Sequence, residues 1–231
     1  MVFYIYQEEQ FFQNIIQDSL TNIQTSLKEK DGSYEKFSIP KKSGARTIFS
    51  IKNSCKLKEY QKNILSNFFE HINISDQTYG FVKKRSYKDF LTPHINKTLY
   101  RDRYYLRLDI KDFFESIKEE TIKEVLSFYF RLTDSDKTEE ILNLISDIVT
   151  LNGSIPQGAV TSPSLSNIVF RELDLKINAY CNQLDVTYTR YADDMLFSSF
   201  NEHDKFASPL IKMIYKIFRK NGFKLNCFIV K

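Results

Sequence analysis

The tetrapeptide Tyr191-Ala192-Asp193-Asp194 sits inside an apolar run, residues 186–200, whose pattern predicts strand, turn, strand with the two aspartates at the tip. A tight hairpin normally takes Asn-Gly or Asp-Gly there, because those residues tolerate positive φ. This tip has no glycine, and its adjacent carboxylates repel each other. An exposed turn is one reading. In the other a cation offsets the repulsion, and hard divalent ions such as Mg2+ prefer carboxylate oxygens. Asp109 favours the second, because it closes a short aromatic and β-branched run, residues 104–110 (YYLRLDI), that predicts a buried strand delivering a polar group to its edge. A hairpin beside that strand gathers Asp109, Asp193 and Asp194 at one sheet edge, where three carboxylates can share two metals.

The rest of the composition allows such a fold and excludes several others. The chain has 231 residues, 42% apolar and 27% charged, which rules out a disordered tail, a collagen-like chain and a coiled-coil rod. No stretch approaches the ~20 uninterrupted apolar residues of a membrane span, and the N-terminus lacks the order of a signal peptide, so a cytoplasmic protein without membrane contact is expected. Cys55, Cys181 and Cys227 lie far apart and fit neither a disulfide framework nor a CxxC site. His71, His94 and His203 show no zinc spacing, so any metal is expected on oxygen.

Charge is segregated along the chain. Residues 36–107 hold 16 Lys/Arg against 5 Asp/Glu, whereas the remainder holds 17 against 24. Between Lys36 and Lys58 seven basic residues stand without one acid. A short charge run usually marks a solvated face, but an asymmetry this long favours a surface for phosphates.

Apolar spacing predicts an amphipathic helix over residues 7–29, a basic β-hairpin over 37–51, and helices from Leu57 to Phe68, from Ile122 to Tyr129 and from Ile141 to Ile148. Thr161-Ser162-Pro163 predicts a helix start with a capping hydroxyl, and residues 206–218 a last helix closed by Asn221-Gly222. This irregular alternation gives an α+β class around a mainly antiparallel sheet.

Four blocks in order, IPKKSGARTIF (39–49), LRLDIKDFFESI (106–117), IPQGAVTSPSLSN (155–167) and RYADDMLFS (190–198), resemble the reverse transcriptase family of bacterial type. The resemblance runs from about residue 36 to 226 and implies the fingers and palm of a right-hand polymerase, with a mainly antiparallel palm sheet. It divides the chain into an N-terminal helical segment (1–35), basic fingers (36–103) and a palm (104–231) with interleaved fingers helices at about 118–153. It implies that Asp109, Asp193 and Asp194 are catalytic and hold two Mg2+ ions, or Mn2+, with the Ile110 carbonyl as a further oxygen ligand. Arg46, with Lys41 or Lys42, falls where the family contacts the incoming triphosphate. Gln157 and Gly158 fall in the loop that packs on nucleotide and template. Phe114 falls where a bulky aromatic lies under the sugar and excludes a 2′-hydroxyl, with Phe113 as the alternative. Lys52, Lys56, Lys58, Lys83, Lys84, Arg85 and His94 are the expected RNA contacts, although a lone histidine is more often structural.

Within the family the similarity is to retron and related phage-defence enzymes, through Tyr79-Gly80-Phe81-Val82, Arg85-Ser86 and Pro93-His94. Where those enzymes show Asn-Ala, two variable residues and His, this chain has Phe90-Leu91-Thr92-Pro93-His94 and keeps only the histidine. The thumb that the family places beyond the region of Gly222 to Asn226 is expected to be absent. The implied activity is RNA-directed DNA polymerisation, adding deoxynucleotides to a primer 3′-hydroxyl on a structured non-coding RNA, within a retron or related antiviral defence system. Template RNA, DNA product and deoxynucleoside triphosphates are the expected partners, together with an effector protein or a chain that supplies a thumb. Two alternatives stand beside it: an RNA-binding or assembly subunit whose synthesis needs a partner chain, and template-independent or protein-primed DNA synthesis.

Overall fold

The computed structural model describes residues 3–40, 45–95 and 101–228. In chain order its helices are α1 (Leu20–Lys28), α2 (Lys56–Asn67), α3 (Tyr87–Leu91), α4 (Phe113–Ser116), α5 (Glu119–Ser127), α6 (Ser135–Val149), α7 (Ser162–Gln183) and α8 (His203–Lys220). Its strands are β1 (Tyr34–Pro40), β2 (Ala45–Ile51), β3 (Tyr104–Ile110), β4 (Thr187–Tyr191), β5 (Asp194–Ser199) and β6 (Leu225–Phe228). No helix among the described residues is long and apolar enough to cross a membrane.

Two compact units form: Met1–Asn73 with Ile117–Val169, and Ile74–Ser116 with Phe170–Lys231. The boundary at residue 73 falls inside the segment 36–103 that the resemblance assigns to the fingers. The cause is backbone pairing: Thr78 bridges Arg190 in parallel, the Arg190 N–H donates to the Gln77 carbonyl at 2.8 Å, and the Tyr79 N–H donates to the Arg190 carbonyl at 2.8 Å.

In the first unit β1 and β2 pair antiparallel, from Tyr34 opposite Ile51 to Pro40 opposite Ala45, as the basic hairpin predicts. Phe68 gathers the rings of Phe3, Phe69, Tyr129 and Phe130 into an aromatic core. Buried Gln61 on α2 donates to the Ile148 carbonyl at 2.8 Å and ties α2 to α6. The single helix expected over residues 7–29 is interrupted: a π-helical turn spans Gln10–Ile16, Gln17 turns left-handed at φ 62°, and α1 starts behind Ser19. Polar capping outcompetes apolar periodicity here, because the Asp18 carboxylate accepts from the Ser19 N–H, the Asn22 side chain and the Tyr60 hydroxyl at 2.7–2.9 Å. The start of α7 also differs from expectation. The Thr161 hydroxyl is buried without a hydrogen-bond partner among the described residues, whereas the Ser162 hydroxyl donates to the Pro156 carbonyl at 2.7 Å and fastens the preceding loop.

The second unit is built on an antiparallel sheet in the order β4-β5-β3-β6. Leu106, Leu108 and Ile110 of β3 are buried, and Arg107 and Asp109 alternate with them on the other face. Strand β6 was not anticipated, since four residues following Asn221-Gly222 carry little periodic signal. Helix α8 buries Phe206, Leu210, Ile214 and Phe218 at helical spacing, and Phe218 and Phe223 pack against Phe170 of α7.

Inside this apolar packing lies a completely buried ion pair. Both Arg190 and Asp174 have 0% side-chain exposure. Arg190 Nε and Nη2 donate to Asp174 Oδ1 and Oδ2 at 2.9 and 2.7 Å, and Nη1 donates to the Ala192 carbonyl at 2.9 Å. Asp174 also accepts from the Tyr188 and Thr78 hydroxyls at 2.7 and 2.9 Å, and the guanidinium lies 5.0 Å from the Phe170 ring centre. Burial and the neighbouring Asp174 charge push the Tyr188 phenol well above its ordinary range. Removing one partner strands a charge in a fully buried position. Asp174→Ala is expected to cost about 3–5 kcal/mol in urea unfolding, whereas Lys56→Ala, at an exposed pair with Glu59, should cost less than about 1 kcal/mol.

Candidate active site

Strand register brings the aspartates of the second unit to one edge. Asp109 on β3 stands directly opposite Asp194 on β5, so both carboxylates lie on the same sheet face. Asp193 occupies the turn, and its carbonyl accepts the Ile110 N–H at 2.9 Å. Ile110 thus closes β3 beside the turn, with its side chain buried.

The turn uses an unfavourable conformation. Ala192 has φ 57°, the left-handed region in which a hairpin normally places glycine. Two neighbours hold it there: Arg190 Nη1 grips its carbonyl, and the backbone at Gly80 presses on its amide. A Cβ at Gly80 would sit 2.4 Å from the Ala192 nitrogen and 3.0 Å from the Tyr191 carbonyl carbon. Only glycine fits that approach.

Asp194 and Asp109 also have polar company that sequence reasoning missed. Arg107 forks onto Asp194, with Nε to Oδ1 at 2.6 Å and Nη2 to Oδ2 at 2.5 Å. Asn226 of β6, opposite Asp109 in register, donates to Asp109 Oδ2 at 3.0 Å. Arg107 was legible in principle, since a residue two positions before Asp109 on a strand shares its face. Asn226 was not, because β6 itself went unpredicted. Among the described residues no three acidic, histidine or cysteine side chains already converge as a metal cage. The donor chemistry nonetheless suits a hard divalent cation: the groups are carboxylates in register, and the cation drawn to them in this structure is a guanidinium.

Phe113 and Phe114 separate because they lie on the short helix α4, where successive side chains diverge by about 100°. Phe113 is buried against Phe170, with ring centres 5.1 Å apart. Phe114 stays half-buried, its ring centre 6.0 Å from that of exposed Phe81.

In the first unit exposed Arg46 lies on β2, and the Gln157-Gly158 loop packs on the same strand. The Phe49 N–H donates to the Gln157 carbonyl at 2.8 Å. Gly158 has φ 107°, and a Cβ there would meet Ile48 Cγ2 at 2.6 Å and the Phe49 carbonyl oxygen at 2.8 Å. Lys41 and Lys42 lie outside the described residues.

The expected RNA contacts fall into two groups. Lys52, Lys56, Lys83 and Lys84 are exposed. Lys58 instead donates to Asn53 Oδ1 at 2.6 Å, and Arg85 donates to the carbonyls of Asp76 and Thr78 and lies over the Tyr79 ring. His94 is corrected outright. It is 3% exposed, too buried to meet RNA. Its Nε2 faces Thr189 Oγ1 at 2.8 Å and its Nδ1 faces Ser198 Oγ at 2.6 Å. Thr189 donates its proton to the Phe90 carbonyl, so Nε2 must carry the ring hydrogen; Ser198 accepts from Arg103 Nε and donates to Nδ1. This network fixes a neutral imidazole, and burial, with Arg103 nearby, pushes its pKa down from 6.5 to about 3.

Two measurements follow from these contacts. Gly80→Ala should cost about 1–3 kcal/mol of stability, whereas Gly32→Ala, with nothing within 4 Å of the new Cβ, should stay within about 0.5 kcal/mol. The unfolded chain accepts a proton at His94 that the folded chain refuses between pH 6.5 and about 3. Its contribution is therefore complete above pH 6.5 and lost as pH falls through that window. By pH 5 urea unfolding should show a loss of about 2 kcal/mol from this group. His94→Asn should be less stable at pH 7.5 but show a shallower decline.

Residues 39–227 match the family model described as Reverse transcriptase (RNA-dependent DNA polymerase). The retron Ec73 reverse transcriptase of Escherichia coli is 36% identical over 197 residues, 80% of this chain and 59% of the relative. The retron Mx65 reverse transcriptase of Myxococcus xanthus is 32% identical over 184 residues, 74% of this chain and 42% of the relative. The chain thus spans about half the length of these curated relatives. Among solved structures, apo telomerase from Candida tropicalis superposes with TM-score 0.56 at 16% identity, over 84% of this chain and 42% of that one. Telomerase from Candida albicans, in complex with a fragment of telomeric RNA, gives 0.54 at 13% identity, over 86% and 42%. At such identities the telomerases speak for the fold alone. The aspartates in register, the left-handed turn between β4 and β5 and the matched span of residues 39–227 make this chain a member of the reverse transcriptase family.

Proposed function

We propose that the chain carries the catalytic core of an RNA-directed DNA polymerase, which extends a primer 3′-hydroxyl with deoxynucleotides along an RNA template. The observation that carries this reading is the direct opposition of Asp109 and Asp194 across β3 and β5, with Asp193 on the adjoining turn. Reverse transcriptases generally use divalent metals. Asp109, Asp193 and Asp194 would hold two Mg2+ ions, with the Ile110 carbonyl as a further oxygen. Bound there, the ions would supply activation of the 3′-hydroxyl and neutralisation of the leaving pyrophosphate.

The chain's own residues do the rest. Half-buried Phe114 is the sugar contact in this reading, since Phe113 is committed to the core; its ring would exclude a 2′-hydroxyl. Arg46, with Lys41 or Lys42, orients the triphosphate, and the Gln157-Gly158 loop braced on β2 packs against nucleotide and template. Exposed Lys52, Lys56, Lys83 and Lys84 attract the RNA backbone, in keeping with the basic balance of residues 36–107. Similarity to retron reverse transcriptases supports a retron setting; a structured non-coding RNA as template and a place in antiviral defence complete this reading.

Primer extension on an RNA template tests the central claim. Asp193→Asn with Asp194→Asn should lower Mg2+-dependent incorporation on the order of 10³-fold or more while circular dichroism stays native. Undiminished synthesis by that double variant would refute the assignment.

A further inference from the structure

We propose that Arg107 competes with the divalent cation for Asp194, and so sets the Mg2+ concentration at which the site fills. The proposal rests on the reading of Asp109, Asp193 and Asp194 as metal-holding carboxylates. Arg107 engages both oxygens of the Asp194 carboxylate at 2.6 and 2.5 Å, the paired geometry that a guanidinium fork makes best. Its place is fixed by register: Arg107 stands opposite Leu196 on β3 and β5, two residues from the pairing of Asp109 with Asp194, on the same face.

Two physical consequences follow. Without metal, Arg107 supplies the countercharge that lets the facing carboxylates of β3 and β5 stand together. With metal, a doubly charged ion and a guanidinium repel each other across one carboxylate, so filling the site weakens or releases the fork. Release is open to Arg107, whose side chain is 49% exposed, and not to Asp194, which is 12% exposed and set in β5. Arg107 is therefore a positioning residue acting through Asp194.

Calorimetric measurement of Mg2+ binding to the full chain, free of nucleic acid and nucleotide, tests this. Arg107→Gln should bind Mg2+ roughly fivefold more tightly. Arg107→Lys should fall between it and the parent, because an ammonium makes one contact where the fork makes two, and it keeps the test open if Arg107→Gln fails to fold. In an Asp194→Asn background Arg107→Gln should no longer change Mg2+ affinity, which a merely structural role would not produce. Unchanged or weaker Mg2+ binding by folded Arg107→Gln and Arg107→Lys would overturn the competition while leaving the metal site intact. Mg2+ binding that survives Asp109→Asn with Asp193→Asn would overturn the metal-site reading itself, and this proposal with it.

Discussion

The palm-like unit depends on one buried ion pair. Asp174 projects from α7 into an interior where it is fully buried, and Arg190 answers from β4 with a two-point contact. Neither charge is tolerable alone, so helix and strand must meet in one register. The remaining valences of the pair spread that constraint. Thr78 draws the 74–80 segment onto β4, Tyr188 locks the adjacent strand position, and the last guanidinium nitrogen reaches the Ala192 carbonyl. The placement of Asp193 thus follows from a charge pair that fixes the backbone of the preceding residue, Ala192.

Around the aspartates the electrostatic problem is different. Here Asp109 and Asp193 are partly exposed while Asp194 is buried, and the cluster calls for a cation. Asn226 and Arg107 supply polar partners on either side, one neutral and one charged, from neighbouring positions on the sheet face. Buried His94 shows the contrasting solution, in which hydroxyls alone satisfy the ring and keep charge out.

What the sequence disclosed followed from periodicity and motif. The hairpin at residues 34–51, the strand ending near Asp109, the strands flanking the tip and α2, α5, α6 and α8 all announced themselves through apolar spacing. What stayed hidden was set by tertiary polar contacts. The break at Gln17 comes from capping by Asp18 and Ser19, which apolar spacing ignores. Asp174 looked like one more polar residue in a long helix, although its place among Leu173 and Ile177 was the available hint. His94 was read as a surface contact because a motif carries no burial. Two adjacent phenylalanines carry no sequence signal that says which faces outward, and the turn of helix α4 separates Phe113 from Phe114 at once.

The left-handed Ala192 has a wider meaning. A hairpin tip with glycine carries its own shape, and the same few residues would turn alike in many proteins. Tyr191-Ala192-Asp193-Asp194 does not, because its backbone is held from outside by Arg190 and by the bare backbone of Gly80. The tetrapeptide is therefore not a portable module. Grafted into another hairpin it would bring two negative charges and leave its geometry behind, so the heritable unit here is the turn together with helix α7 and the segment around Gly80.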